Sequence, residues 1–197
     1  DTLMGIGASA GAMFSGVAAF GTSTIREGLK TAGFMESTTI ELETMMQSAD
    51  KAKDLLDKIN TFAIKTPFQT QDLLGVSKGL VMMGKNAEET MQTLKLLGDA
   101  AGDDKHKFQS IAMTYEHAMG AGVVHSMYAK MLMIKGVLSQ MDIAKYFNVS
   151  THAVDKLLEK GIAFEDFHKI MLKNTQEGGR FHNMMEKMSG TFRGLSS

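Results

Sequence analysis

The sequence lacks cysteine and tryptophan and has a single proline among its 197 residues. Without cysteine, the chain has no disulfide, no thiolate nucleophile and no sulfur ligand for a metal ion. This absence fits a reducing compartment, or a particle assembled in one. The stability of the fold must therefore come from packing.

An excess of charge of either sign is also missing. The chain has 21 Lys and Arg against 22 Asp and Glu, which gives a formal net charge of -1. No global positive field exists to hold phosphates or to draw the chain onto an acidic membrane. The composition therefore argues against general binding to nucleic acid.

Methionine and glycine are abundant instead, with 18 and 20 copies, and 44% of the residues are hydrophobic. A chain of this length can bury the core of one domain or of two small ones. Methionine is flexible and fills irregular apolar gaps. Its abundance suggests helices packed on one another, within one chain or between copies.

The first 21 residues differ in composition from the rest. The stretch "LMGIGASAGAMFSGVAAFG" consists of Gly, Ala and Ser with scattered large apolar residues, and no charge occurs from Thr2 to Ile25. Its length would span a bilayer, but Gly and Ser dilute the apolar gain. The small residues favour close helix packing or a mobile leader over a membrane span. It also lacks the basic region of a secretory signal. We predict an apolar leader at residues 1–21, for which membrane contact stays open, and an α-helical domain at residues 22–197.

Neither end of the sequence has the features expected at the terminus of a complete protein. The sequence begins at Asp1 without an initiator methionine and stops at "FRGLSS" without a helix stop. We therefore expect a piece of a longer protein.

Residues 38–46 fit two kinds of secondary structure. Ile40, Leu42 and Thr44 alternate with two glutamates, which predicts a short extended or β segment. A competing interpretation starts a helix at Thr38, with Glu41 completing a capping box.

Helices separated by glycine dominate the remaining chain. We predict that Ser48 is the N-cap of a helix and that this helix ends before Pro67. Asn86 and Glu89 predict a capping box at the start of a later helix. The predicted helix ends are Gly84, Gly98, Gly120 with Gly122, and Gly136. Apolar stripes at helical spacing lie between them, among them Phe108, Ile111, Ala112, Tyr115 and Met119, and then Met127, Tyr128, Met131 and Ile134. We predict a mainly α fold, a compact multi-helix domain of short helices and helical hairpins.

The motifs identify no catalytic, nucleotide or metal site. "GLVMMGKN" matches a phosphate-binding loop until Asn86 replaces the required Ser or Thr, and the preceding "TQDLLGVSK" is helix-like. The six histidines show no i,i+4 pair and no HExxH. Asp99, Asp103 and Asp104 lack the spacing of a calcium loop, and we expect them to solvate a turn. No nucleophile has a recognisable partner, so we predict a protein that is not an enzyme, with no catalytic residue, cofactor or metal.

The stretch "IAKYFNVSTHAVDKLLEKG", residues 143–161, has the order of a DNA-reading helix-turn-helix. Its second helix would run from Thr151 to Lys160. Three lysines against Asp155 and Glu159 leave the stretch at +1 without an arginine, which is little for a protein that neutralises several phosphates. Two packed helices explain the same apolar positions, and a DNA-binding regulator is kept as the alternative function.

Several stretches, in this order, resemble the tape-measure domain of tail tape-measure proteins from long-tailed bacteriophages and prophages. They are "ELETMMQSADKAKDLLDKINTFAIKTPF", "GLVMMGKNAEETMQTLKLLGDAAGD", "IAKYFNVSTHAVDKLLEKGIAFEDF" and "EGGRFHNMMEKMSGTFRGLSS". The resemblance covers roughly residues 37–197, with a Met-rich departure at residues 122–140 and Leu42 where an aromatic is often found. The positions that match the family motifs are Thr66, Pro67, Phe68, Gly84, Gly98, Asp99, Val149, Ser150, Gly161, Gly178 and Gly179.

The resemblance implies a structural protein that lies extended inside the tail tube in several copies, sets tail length during assembly and leaves before DNA passes. It implies a homo-oligomer that contacts the tail tube and tail assembly chaperone proteins and binds no specific nucleic acid. Its location would be the virion tail, and the host bacterial cytoplasm during assembly. The matched family domain has no catalytic residues to carry over, so the matched positions are expected to be structural.

Overall fold

The computed structural model of the protein describes the backbone of residues 22–195 and the side chains of residues 32–190. The predicted leader at residues 1–21 lies outside the described residues. The contacts divide the chain after Lys53 into two compact units. In the described part, each helix falls short of the combination of length and apolar character that a bilayer crossing requires.

Helices make up most of the described chain, and the predicted mainly α fold is confirmed. Val123 pairs with Ala163, and Val124 with Ile162, in a short antiparallel two-stranded sheet. The elements in chain order are α1 (Thr22–Met46), α2 (Ala49–Ile64), α3 (Thr70–Met82), α4 (Ala87–Ala101), α5 (Lys105–Ala121), β1 (Val123–Val124), α6 (Ser126–Ile134), α7 (Gln140–Phe147), α8 (Thr151–Lys160), β2 (Ile162–Ala163), α9 (Phe164–Thr175) and α10 (Met184–Leu195).

The predicted extended segment at residues 38–46 is wrong, because these residues belong to α1. The competing helix start at Thr38 is also wrong, since α1 begins at Thr22. The hydroxyls of Thr39 and Thr44 each donate to the carbonyl oxygen four residues earlier, both at 2.8 Å. These bonds satisfy the threonines within a helix, so a short alternation does not produce a strand here.

The predicted helix starts are confirmed. The Ser48 hydroxyl oxygen accepts the Lys51 N–H at 3.3 Å, ahead of α2. At the start of α4, Asn86 Oδ1 accepts the Glu89 N–H at 3.0 Å, and the Glu89 carboxylate accepts the Asn86 N–H at 2.9 Å. This reciprocal pair is the predicted capping box.

Glycine ends three helices as expected. Gly84, Gly122 and Gly136 follow α3, α5 and α6 with φ of 89°, 70° and 68°. These left-handed conformations favour glycine, which has no Cβ to clash. Gly120 lies inside α5, so Gly122 alone ends that helix.

Helix α4 is the centre of the second unit, because it packs against α3, α5, α9 and α10. The predicted end of this helix at Gly98 is wrong, since α4 continues to Ala101 with Gly102 as C-cap. A Cβ at Gly98 would overlap the sulfur of Met185, which lies on α10 and is 3% exposed. The glycine therefore allows α10 to approach α4 closely, and its role is packing rather than capping.

The expectation that Asp99 solvates a turn is also wrong. Its side chain is 1% exposed, on the buried side of α4. The carboxylate accepts the backbone N–H of Met185 at 3.1 Å and pairs with Lys95 Nζ at 2.7 Å. Asp104 does lie at a turn, where it accepts the Lys107 N–H at 2.9 Å as the N-cap of α5. Asp99 is thus a buried anchor for the first turn of α10.

A second glycine contact lies between α3 and α5. An added Cβ at Gly79 would come 2.5 Å from Glu116 Oε1, so the Glu116 carboxyl occupies the space that the glycine leaves. Burial raises the pKa of Glu116 from 4.5 to about 7, because the charged form loses water there.

Gly98→Ala is expected to lower the free energy of unfolding by about 1–3 kcal/mol, because the new methyl overfills a core in which Met185 has little room to move. That cost exceeds the helix-propensity gain of up to about 1 kcal/mol. Gly75, in α3, is the matched control, since nothing lies within 4 Å of its Cβ position. Gly75→Ala should stabilise by about 0.5–1 kcal/mol. Chemical denaturation measures both variants, and equal stabilisation by the two would contradict the packing role.

Glu116→Gln is expected to remove a pH dependence of stability. Because the folded pKa is raised, the parent loses stability as the pH rises from 4.5 through about 7. The variant should therefore be more stable than the parent by about 1–2 kcal/mol at pH 8, after discounting for partial exposure, and equal to it near pH 4. Denaturation across this pH range tests the difference. The exposed Glu159→Gln is the control, and the same pH-dependent gain there would refute the assignment to Glu116.

Candidate functional site

The turn Thr66-Pro67-Phe68 ties the end of α2 to α5. Phe68 is 3% exposed, and its ring stacks on Phe108 with 4.4 Å between centroids. Helix α2 ends at Ile64, and in the turn that follows, the Thr66 N–H donates to the Ala63 carbonyl at 3.2 Å. Proline at position 67 disfavours helical backbone at Thr66. This motif therefore holds the turn after α2 against α5 through an aromatic contact.

The glycines near the end of the chain allow close approaches of backbone. Gly178 has φ 82°, and a Cβ at Gly179 would overlap the backbone carbonyl of Asn174. The Phe181 N–H donates to that same carbonyl at 2.8 Å, so the loop folds back over the end of α9. Gly161 has φ 91°, and the Val123 side chain occupies the space beside it, next to the small sheet.

Residues 143–161 form two helices joined by a turn, as the sequence predicted. Asn148 adopts a left-handed conformation after α7, and the Val149 N–H donates to the Ala144 carbonyl at 2.9 Å. Ser150 is the N-cap residue of α8, although its side chain makes no capping hydrogen bond. Val154 and Leu158 of α8 are buried. Packing thus accounts for the apolar positions of this motif.

The exposed side of α8 carries no net charge. Lys156 and Lys160 are exposed, as are Asp155 and Glu159. A helix that reads DNA needs donors and a positive field on its exposed side. The charge balance therefore favours two packed helices over the DNA-binding alternative.

Helix α6 exposes an apolar stripe that we call the α6 face, consisting of Met127, Met131 and Ile134. Their spacing of four and three residues places them on one side of the helix. Their exposed fractions are 62%, 39% and 86%, whereas Ala129 and Leu132 on another side are fully buried. Helix α6 is apolar on most sides, so periodicity predicted the helix but not which side faces the core.

A cleft of about 480 Å³ lies between α7 and α9, closed at one side by the loop 178–180. Its positive side chains are Lys145, Lys173 and Arg180, and Arg180 forms an ion pair with Asp142. No sequence pattern predicted this cleft. Residues from three separated segments form it, and no motif spacing links them.

A buried tyrosine and histidine connect α5 with α9. Tyr115 is 0% exposed, and its hydroxyl lies 2.8 Å from His168 Nδ1, with the Phe164 ring 5.1 Å away. Burial raises the pKa of Tyr115 to about 12. Burial, with a smaller effect of Lys85, lowers the pKa of His168. Both groups are therefore neutral at pH 7 and share one hydrogen bond inside the fold.

The matched family positions contact different partners: Phe68 packs on Phe108, Gly98 and Asp99 contact Met185, and Gly179 lies against Asn174. These contacts are of the kind that hold turns and helices in place. Across the described residues, no group of three or more His, Cys, Asp or Glu side chains is arranged to hold a metal ion.

Comparison with known proteins identifies a family to which the chain is similar. The family model described as tape measure protein matches residues 26–197. Searches of curated proteins and of solved structures gave no match. The family match covers most of the chain, including all eleven motif positions. The chain therefore belongs to the tape measure protein family, whose members are structural components of phage tails.

Proposed function

We propose that this chain is the assembly module of a tail length tape-measure protein. It sets tail length and nucleates the tail tube through self-association and contacts with tube and chaperone proteins, without catalysis. The proposed locations are the virion tail and, during assembly, the host bacterial cytoplasm. The exposed α6 face is the observation that supports self-association.

The α6 face suits a permanent protein contact. Large apolar side chains aligned on one helix gain free energy when a partner removes them from water. Methionine adapts its shape to irregular surfaces, so two copies of one face can pack together without strict complementarity. We propose a second copy of this chain as the occupant of the α6 face.

The other proposed features follow from the sequence. The leader at residues 1–21 joins the α-helical domain at residues 22–197 to its surroundings and is the segment through which membrane contact would occur. The eleven motif positions act as structural positions, at turns and at close helix contacts. The fold keeps α6 in place for assembly.

Replacing Met127 and Ile134 with Lys is expected to weaken self-association by about tenfold or more. Burial of each of these side chains contributes up to roughly 1.5–3 kcal/mol, and two lysines would oppose it. Sedimentation equilibrium measures the association constant. Met113→Lys is the matched control, because Met113 of α5 is 58% exposed and lies outside the α6 face. A parent chain that stays monomeric at high concentration, or an equal effect of the control, would contradict the proposal.

Tail length in a phage carrying this gene tests the ruler function. In-frame deletions of graded size outside codons 37–197 should shorten tails in proportion, by about 150 Å for 100 residues of helix. Electron microscopy measures the lengths. The Met127→Lys, Ile134→Lys variant should instead reduce the number of tails and leave their length unchanged. Tails of parental length in every deletion would refute length setting.

A further inference from the structure

The cleft between α7 and α9 holds more positive than negative charge. Lys145, Lys173 and Arg180 line it together with a single carboxylate, Asp142. In the described part of the chain, the Lys145 ammonium has no ion pair or hydrogen bond. The Lys173 ammonium lies 5.0 Å from the centroid of the Tyr146 ring, a contact that leaves its N–H donors available. Two cations beside one cleft are thus without a carboxylate partner among the described residues.

Arg180 is held in place by its neighbours. One terminal nitrogen donates to Asp142, and the guanidinium carbon lies 5.2 Å from the centroid of the Phe181 ring. Guanidinium has five N–H donors in a fixed plane, so most of them stay available after this one bond. An arginine positioned in this way loses little side-chain entropy when it binds a further anion.

The cleft also offers apolar and amide groups. Met141, which is 56% exposed, and the buried Ile170 both line the cleft. Asn174 lines the same space and is 9% exposed, and its Nδ2 has no hydrogen-bond partner in the described structure. A ligand with both anionic and apolar groups matches this lining.

We infer that this cleft binds a carboxylate-bearing peptide segment of a partner protein. The carboxylates of the segment contact Lys145, Lys173 and Arg180, and an apolar side chain packs on Met141. A volume of about 480 Å³ accommodates a few side chains rather than a duplex. The chain as a whole has no positive field to attract nucleic acid. This inference goes beyond the proposed assembly role and does not depend on the α6 face.

Fluorescence anisotropy with the purified chain tests the inference. The probe is a short fluorescein-labelled peptide of alternating Glu and Leu, and the comparison probe has Gln in place of each Glu. The Glu peptide should bind at least about tenfold more tightly, and its affinity should fall as salt screens the charges. A labelled oligothymidylate provides the phosphate comparison.

Lys145→Ala with Lys173→Ala should weaken binding of the Glu peptide by about tenfold. The control is Lys156→Ala with Lys169→Ala, which removes the same charge from exposed positions on α8 and α9 outside the cleft. It should change affinity by less than about twofold, and circular dichroism checks that both variants keep their helices. Equal binding of the Gln peptide, equal loss in the control, or tighter binding of oligothymidylate would each overturn the inference.

Discussion

The contact between α4 and the start of α10 determines how the end of the chain joins the core. Met185 fills the space beside Gly98, and its backbone N–H donates to Asp99 across 86 residues of sequence. The missing Cβ sets how closely the helices approach, and the hydrogen bond sets where α10 begins along α4. Lys95 pairs with the same carboxylate and also donates to Asn183 at 3.2 Å. Gly98 thus provides the space for Met185, and the adjacent Asp99 provides the hydrogen-bond acceptor. Together they determine where α10 packs on α4.

Sequence predicted the parts of this fold that depend on near neighbours. The capping box of Asn86 and Glu89 and the glycine ends at Gly84, Gly122 and Gly136 form within a few residues, so their signals are local. Gly98 and Asp99 carry signals typical of a helix end and a solvated turn. Their roles depend on Met185, which no local pattern connects to them. The strand prediction at residues 38–46 failed because threonines can also bond within a helix.

The same distinction explains what could be predicted of the candidate surfaces. The abundance of methionine pointed to apolar contacts, but a helix that is apolar on most sides does not reveal which side the core will cover. For α6, the core covers Ala129 and Leu132 and leaves the α6 face in water. No pattern in the sequence indicated the positive cleft between α7 and α9. Charge that is balanced over the whole chain can still be uneven locally, once folding brings separate lysines and an arginine together.

The α6 face and the cleft would respond to their surroundings in opposite ways. Burial of apolar surface is strengthened by excluded salts such as sulfate, whereas attraction between exposed charges falls as ionic strength rises. With both of the proposed contacts, copies would stay together at the α6 face while partners exchange at the cleft. Removing a partner from the cleft need not separate the copies. This independence agrees with the proposed role in tail assembly, in which contacts between copies and contacts with partners are separate.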